Sequence, residues 1–233
     1  MTSLVEVESL SKKYGKEVIL EDINFTINQG DKIALIGKNG SGKTTLLNII
    51  IKLQKETSGK VIYNLNEKNF YMNFGIQMQD GVFDERLTIH DYCLLLEKLF
   101  DVEGKTDKYL KDFELEDKRK KKIYTLSGGE KQKFNIICAL LHDPEILIFD
   151  EVSTGLDTIN RSVIKKYIKK YIKKFAEKKT LILVSHYMEE IEQLCERVIC
   201  INNKHIIVDE DIIEIRNKYG SLEKFYVSEV GGQ

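Results

Sequence analysis

Lys32-Ile33-Ala34-Leu35-Ile36-Gly37-Lys38-Asn39-Gly40-Ser41-Gly42-Lys43-Thr44-Thr45 is the stretch on which the reading of this chain turns. Residues 32–36 form a short apolar run after the turn Asn28-Gln29-Gly30, which is the pattern of a buried strand. Gly37 to Thr44 then spell G-x-x-x-x-G-K-[ST], and Leu46, Leu47, Ile49, Ile50 and Leu53 suit a helix. Strand, glycine-rich loop and helix in that order make a cradle for phosphate. Glycines let the backbone close around phosphate oxygens and present N–H donors to them. The helix starting near Gly42 aims its positive end at the same oxygens. Lys43 adds a point charge for the β- and γ-phosphates, which makes it a catalytic candidate as well, and Thr44 offers a hydroxyl to Mg²⁺. The candidate nucleotide-binding run is therefore Gly37, Lys38, Asn39, Gly40, Ser41, Gly42, Lys43, Thr44 and Thr45.

A phosphate cradle of this kind needs an acidic group at the end of a second buried strand. Ile146-Leu147-Ile148-Phe149-Asp150-Glu151 supplies one. Asp150 is the candidate to hold Mg²⁺, and Glu151 to orient or deprotonate an attacking water. Two carboxylates can also be a plain solvated strand end, and pairing with the cradle favours the catalytic reading. Ile146–Phe149 and Leu181–Val184 are continuous apolar runs, as in strands of a parallel sheet buried on both faces. The first residues instead alternate, through Val5, Val7, Ile19, Ile23, Phe25 and Ile27, and read as antiparallel strands. A turn at Thr57-Ser58-Gly59 precedes a strand near 61–63. From Thr88 to about Leu141 the period becomes helical, with Tyr92, Leu95, Leu96, Leu99 and Phe100 at spacings of three and four, and Thr88 with Asp91 resembles a capped start. The expected fold class is α/β, with one helical insertion.

Composition narrows the function classes. The 233 residues hold 36 Lys and Arg against 37 Asp and Glu, a net charge of −1 that argues against a dedicated nucleic-acid binder, so no nucleic-acid partner is expected. Apolar residues at 42% fit a folded chain, and a single proline announces no linker. Mean hydropathy is −0.29, no run reaches the roughly 18 apolar residues of a spanning helix, and the first residues lack the apolar core of a signal peptide. The chain is expected neither to cross a membrane nor to be exported by itself. Cys93, Cys138, Cys195 and Cys200 lack metal-ligand spacing and read as buried free thiols of a reducing compartment. Lysines between 165 and 179 interleave with Ile164, Tyr167, Ile168, Tyr171, Ile172 and Phe175, the outer face of an amphipathic helix, and the cationic run 118–122 is read as solvated too.

Leu126-Ser127-Gly128-Gly129-Glu130-Lys131-Gln132 separates the classes a phosphate cradle leaves open: kinases, GTPases, recombinases and transport ATPases. A guanine-reading N-K-x-D is absent, since Asn217-Lys218-Tyr219-Gly220 lacks the aspartate. Ser127 and Glu130 have capping-box spacing, with Phe134, Ile137, Cys138 and Leu141 following on one face. Two glycines beside such a cap make a second anion-binding surface, which fits a site completed by a second copy. This stretch resembles the signature of the ATP-binding-cassette (ABC) family, usually LSGGQ, with Glu130 in the glutamine position.

The resemblance runs over nearly the whole chain and adds roles. It implies a P-loop NTPase core, a mostly parallel sheet with flanking helices. An N-terminal antiparallel β subdomain and an inserted helical subdomain complete a single domain over 1–233, with core 1–79 and 144–233 and helical part 80–143. Tyr14 looks like the aromatic that stacks on adenine. Gln79 resembles the glutamine near Mg²⁺ and the attacking water, with Gln77 as the neighbouring alternative. Asp157, in Ser153-Thr154-Gly155-Leu156-Asp157, resembles the loop that communicates between paired cassettes, and His186 the histidine that contacts the γ-phosphate. Ser127, Gly128, Gly129 and Glu130 would reach the nucleotide of the opposite copy. His90, His142 and His205 have no motif context and are expected to be structural or exposed. Departures from the family pattern are Met78 and Val152 where proline is frequent, and Lys133 for arginine.

The implied function is hydrolysis of Mg-ATP by a head-to-tail cassette dimer, homomeric or heteromeric, that drives a separate transmembrane permease. The chain would then be cytoplasmic, peripheral on the inner face of the membrane through that partner. The segments 74–86 and 126–133 look like exporter-type cassettes for drugs, bacteriocins and antimicrobial peptides. A soluble ABC ATPase of translation or DNA repair is the alternative, and a catalytically silent cassette is a third possibility.

Overall fold

The computed structural model describes residues 2–77, 84–153, 156, 158–174 and 179–231. In chain order the elements are β1 (Ser3–Tyr14), β2 (Glu17–Asn28), β3 (Lys32–Ile36), α1 (Lys43–Ile50), β4 (Ser58–Tyr63) and β5 (Phe74–Gln77). Helices α2 (Ile89–Leu99), α3 (Thr106–Asp112) and α4 (Gly128–Leu140) follow, then β6 (Ile146–Asp150), α5 (Thr158–Lys174) and β7 (Thr180–Val184). The last elements are α6 (Met188–Leu194), β8 (Arg197–Asn202), β9 (His205–Asp211), α7 (Ile212–Tyr219) and α8 (Leu222–Tyr226). The chain divides into two compact units, Met1–Tyr71 with Thr180–Gln233, and Met72–Lys179.

The first unit contains two kinds of sheet. β1 pairs antiparallel with β2 on one side and with β4 on the other, so the alternation in the sequence buries Val5, Val7, Leu10, Leu20, Ile23 and Ile27. The predicted turn Thr57-Ser58-Gly59 is corrected: Ser58 and Gly59 already belong to β4. Gly59 lies at φ +82, where a Cβ would stand 2.3 Å from the Ser9 carbonyl oxygen, and the β1–β4 register shifts between Glu8 and Ser11. The turn-like residues therefore mark a bulge. β3 is flanked by β7 and β8, both parallel to it, and β9 returns antiparallel along β8. Every residue of β3 and of β7 is buried, as continuous apolar runs require.

α1 buries Leu46, Leu47, Ile49 and Ile50 but stops before Leu53, which is 63% exposed and not part of the helix as its spacing suggested. Lys52 adopts φ +58, the Lys52 amide donates to the Ile49 carbonyl and the Leu53 amide to that of Asn48. This is the left-handed closure that usually takes glycine. The Tyr63 hydroxyl donates to the Ile50 carbonyl at 2.9 Å, and the Lys52 ammonium lies 4.3 Å from the Tyr63 ring centroid and 4.0 Å from that of Phe70.

In the second unit β5 and β6 run parallel. A Cβ on Gly75 would stand 2.1 Å from the Ala139 carbonyl, so glycine admits the end of α4 against this pair. The Thr88 hydroxyl caps α2 by accepting from the Asp91 amide, as its spacing predicted. The face that α2 turns inward differs from the leucine stripe: Ile89, Cys93 and Glu97 are buried, whereas Leu95 and Leu99 are 53% and 71% exposed. The reason is Glu97. One of its oxygens accepts from the Lys105 amide (2.7 Å), the Thr106 amide (2.6 Å) and the Thr106 hydroxyl (2.8 Å), which caps α3 from a neighbouring helix. α5 buries Ile164, Tyr167 and Ile168 as predicted; Tyr171 and Ile172 are side chains outside the described set, and Phe175 is outside the described residues.

The four cysteines are free thiols; Cys93, Cys195 and Cys200 are buried and Cys138 half-buried. Burial pushes the thiols of Cys93 and Cys200 up to about 12, so both stay protonated and unreactive at neutral pH. His142 is buried and donates through Nε2 to the Phe74 carbonyl at 2.9 Å, a structural role, while His205 is exposed beside Glu21. Among the described residues no helix is long and apolar enough to cross a membrane. Removing the Glu97 carboxylate strands three donors, so Glu97→Ala is expected to cost about 2–4 kcal/mol in denaturant unfolding, and Glu97→Gln, which keeps an acceptor, clearly less.

Candidate functional site

Two glycines set the shape of the loop between β3 and α1. Gly42 lies at φ +101, and a Cβ there would meet Leu20 Cδ2 at 2.6 Å and Ile19 Cγ2 at 3.2 Å. Gly37, at φ +152, would place a Cβ 2.3 Å from the Ile201 carbonyl oxygen. Strand residues thus press on the loop at both ends, and only glycine satisfies both the dihedral and the space. Lys43 is buried, and its ammonium donates to the carbonyls of Gly37 and Lys38, at 2.9 Å each, which fixes a positive charge across the loop. Gly42 is the N-cap of α1 without a side chain to cap it, and the first turn carries no acidic residue. The positive end of the helix is left for an anion.

Ser41 Oγ is shielded from solvent and has no hydrogen-bond partner among the described residues. An orphaned hydroxyl beside an uncapped helix start and a buried lysine fits a polyphosphate. Of the residues read as Mg²⁺ ligands, Thr44 presents a hydroxyl on the first turn of α1 in the first unit, and Asp150, in the second unit, is a buried carboxylate at the end of β6. Both are hard oxygen ligands. Magnesium keeps waters and takes phosphate oxygens, so it needs no cage of protein carboxylates.

Parallel pairing brings further residues to the same edge. β3 and β7 are in register at Lys32 with Leu181 and Ala34 with Leu183, so Gly37 and Ser185-His186 leave the carboxyl ends of adjacent strands. That is where ligands gather in open α/β sheets. His186 is exposed there. The turn carrying it is latched by Ser185, whose hydroxyl donates to the buried Glu190 carboxylate at 2.5 Å and accepts from the Tyr187 amide at 3.1 Å. This latch escaped the sequence reading, because Glu190 sits in an acidic stretch that reads as solvent-facing. Tyr14, 47% exposed, ends β1, and its hydroxyl donates to Gln54 Oε1 at 2.6 Å.

In the second unit Asp150 ends β6 and Glu151 follows it, and Gln77, the alternative glutamine, is the buried last residue of β5 opposite Phe149. Glu151 has φ +54, a conformation uncommon outside glycine, at the position read as catalytic. Ser127 and Glu130 form both halves of the predicted capping box: the Ser127 amide donates to Glu130 Oε2 (2.9 Å) and the Glu130 amide to Ser127 Oγ (3.3 Å). Gly129 is buried, and a Cβ on Gly128 would meet nothing within 4 Å. Backbone pairing holds the approach to this cap: the Ile123 amide donates to Leu87, the Tyr124 amide to Glu85, the Ile89 amide to Lys121 and the His90 amide to Arg119. The Lys131 ammonium also pairs with the Glu85 carboxylate. Gln79 and Asp157 lie outside the described residues.

A parallel sheet whose strand runs through a glycine cradle into an uncapped helix defines a nucleotide-binding protein of the P-loop class. The family model for ABC transporters matches residues 20–154. The linearmycin resistance ATP-binding protein LnrL of Bacillus subtilis is 32% identical over 88% of this chain and 68% of its own length. The bacitracin transport ATP-binding protein BcrA of Enterococcus faecalis is 30% identical over 98% of this chain and 76% of its own. A solved ATP-binding subunit of an ABC transporter superposes with a TM-score of 0.86 at 27% identity, covering 97% of this chain and 98% of that one. A dimeric ATP-binding cassette in a post-hydrolysis state with ADP and phosphate bound gives 0.75 at 27% identity, over 89% of this chain and 98% of that one. This chain belongs to the ABC transporter family, as an ATP-binding component.

Gly42→Ala is expected to lower stability by about 1–3 kcal/mol in denaturant unfolding and to weaken nucleotide binding in the same preparation. The Ser127 amide holds the Glu130 carboxyl below its ordinary range against the opposing effect of burial, helped by the Ser127 hydroxyl, Lys121 and Lys118. A depressed carboxyl stabilises the fold above its unfolded pKa and loses that contribution as pH falls through its folded pKa. The stability advantage of the native chain over Glu130→Gln should therefore shrink as unfolding is followed from neutral pH into acid.

Proposed function

We propose that this chain hydrolyses ATP as one half of a head-to-tail cassette dimer that powers a transmembrane permease, and that the transported substrate is exported. The observation that carries the reading is the glycine cradle closed by the Lys43 ammonium in front of an uncapped α1. Gly37, Lys38, Asn39, Gly40, Ser41, Gly42 and Thr45 wrap the phosphates, and Lys43 offsets charge that builds on the γ-phosphate during transfer. Mg²⁺, when held by Thr44, Asp150 and Gln79, supplies charge neutralisation at the phosphates. Glu151 orients the attacking water and accepts its proton. His186 contacts the γ-phosphate from a turn that the Ser185–Glu190 hydrogen bond holds in place. Tyr14 takes the adenine face.

In this reading the Ser127–Glu130 cap serves the nucleotide of the second cassette, with Asp157 communicating between copies. ATP bridges the pair and hydrolysis removes the bridge, a two-state switch biased by the γ-phosphate. The helical segment, 80–143 within a core of 1–79 and 144–233, carries the motion to the permease, which places the chain on the cytoplasmic face of the membrane. The exposed Leu95 and Leu99 on α2 support such a docking role, since large apolar side chains held in water mark interaction sites. Export of a drug, a peptide or another amphipathic molecule is supported by the names of LnrL and BcrA, and by a 30% identical Nod factor export ATP-binding protein of Sinorhizobium fredii.

Glu151→Gln is expected to keep ATP affinity, to lose hydrolysis by at least about 100-fold, and to elute with ATP as a dimer. Near-normal phosphate release in that variant would overturn the role given to Glu151. Lys43→Ala should lose ATP binding by calorimetry; an unchanged isotherm would overturn the cradle as the nucleotide site.

A further inference from the structure

The end of the β1–β2 hairpin is fastened to the chain that leaves the phosphate-loop helix. Four contacts join β1 to residues 54–57. Lys12 Nζ donates to the Lys55 carbonyl at 2.5 Å, the Tyr14 hydroxyl to Gln54 Oε1 at 2.6 Å, the Lys13 amide to Thr57 Oγ1 at 3.0 Å, and the Thr57 amide to the Ser11 carbonyl at 2.8 Å. The Lys12 ammonium also stands over the Tyr14 ring, 5.0 Å from its centroid. The β1–β2 register shifts between Lys12 and Lys13, and across this irregularity the Lys12 and Tyr14 side chains are in contact. Lys12 pairs across the hairpin with Leu20, the residue whose side chain presses on Gly42. The ring is thus carried two residues along β1 from the position paired with Leu20.

We propose that Lys12 and Gln54 are positioning residues that hold the Tyr14 ring as a fixed platform for a purine base. This rests on the reading of Tyr14 as the base-stacking residue. Gln54 fixes the ring at its hydroxyl end, and the lysine occupies one face, leaving the other for the base. A free tyrosine at a hairpin tip would spend rotamer entropy each time a base stacked on it; two anchors spend that entropy on folding instead. The ammonium gains from the ring quadrupole while its own hydrogen bond to Lys55 keeps it from reaching toward phosphate. Nothing in the arrangement reads a base edge, so adenine and guanine are served alike.

Calorimetric titration of ATP, GTP and inorganic tripolyphosphate into the full chain tests this, because tripolyphosphate reports the cradle without the base. Tyr14→Ala is expected to weaken both nucleotides by about 5- to 150-fold, the range for one base stacked on one aromatic ring, and to leave tripolyphosphate unchanged. Lys12→Met and Gln54→Leu are each expected to weaken ATP and GTP by about 2- to 5-fold, again with tripolyphosphate unchanged. Lys12→Arg, which keeps a cation over the ring, should restore the native affinity. If Lys12→Met and Gln54→Leu bind ATP as the native chain does while Tyr14→Ala does not, the platform reading stands and the positioning role falls. If Lys12→Met weakens tripolyphosphate equally, the lysine acts as plain charge and the proposal is overturned. If Tyr14→Ala changes neither nucleotide, the base-stacking reading fails and takes the proposal with it.

Discussion

Backbone packed against backbone and side chain, with no room for a Cβ, is the condition on which the phosphate site depends. Ile201 closes on Gly37 through its carbonyl, and Leu20 and Ile19 close on Gly42 through their methyl groups. These contacts come from β8 and β2, so the loop takes its curvature only when both strands are in place. The loop alone would not hold this shape, since glycine surrenders more conformational entropy on ordering than any other residue, by roughly 0.5–1 kcal/mol relative to alanine. Burial behind it is larger. Leu46, Leu47, Ile49 and Ile50 of α1 are all at most 1% exposed, and each contributes roughly 1.5–3 kcal/mol before chain entropy is counted. Hydrophobic packing of one short helix therefore stabilises a loop that its own composition disfavours.

The same helix is restrained at its other end. The Tyr63 hydroxyl donates to the Ile50 carbonyl, and the Lys52 cation, over the rings of Tyr63 and Phe70, sits beside the negative end of the helix. Burial raises the Tyr63 hydroxyl to about 12, so it remains a donor over the whole working range of pH. From there residues 54–57 run back to the hairpin that carries Tyr14. One eight-residue helix is thus tied at its start to the cradle and, just past its end, to the Tyr14 ring.

How legible each part was in the sequence follows from the range of the interactions behind it. The cradle, β3, β6, β7 and the Ser127–Glu130 cap were readable because local spacing determines them. The reading failed where a distant partner decides. Thr57-Ser58-Gly59 has the composition of a turn, and only the closeness of Ser9 makes Gly59 a bulge. Leu53 keeps the helical spacing of α1, but Lys52 turns the chain left-handed first. On α2 the leucines mark the helix, and the buried Glu97 sets which face turns inward by capping α3. The burial of Glu190 and the positive φ of Glu151 carry no local signal either, since both arise from the elements around them. Family resemblance singled out Tyr14 where spacing could not, yet gave no hint of its contacts with Lys12 and Gln54.

Around the signature helix the constraint is hydrogen-bonded rather than steric. Residues 84–90 are laced to residues 119–125 by four backbone hydrogen bonds and by Lys122, whose ammonium donates to the Arg86 carbonyl at 2.6 Å. The Glu85–Lys131 pair extends the lacing onto α4 itself, one residue past the cap. Exposed ion pairs contribute little stability on their own, with a median near 0–1 kcal/mol, so this one matters for direction more than for strength. It ties the start of α4 to the segment 84–90. A displacement of residues 84–90 is then carried toward Ser127 as a shift of a braced unit, because stretching four backbone hydrogen bonds costs more than moving the segment whole. The cap's own hydrogen bonds are local to Ser127 and Glu130, and its placement is set by the lacing to residues 84–90.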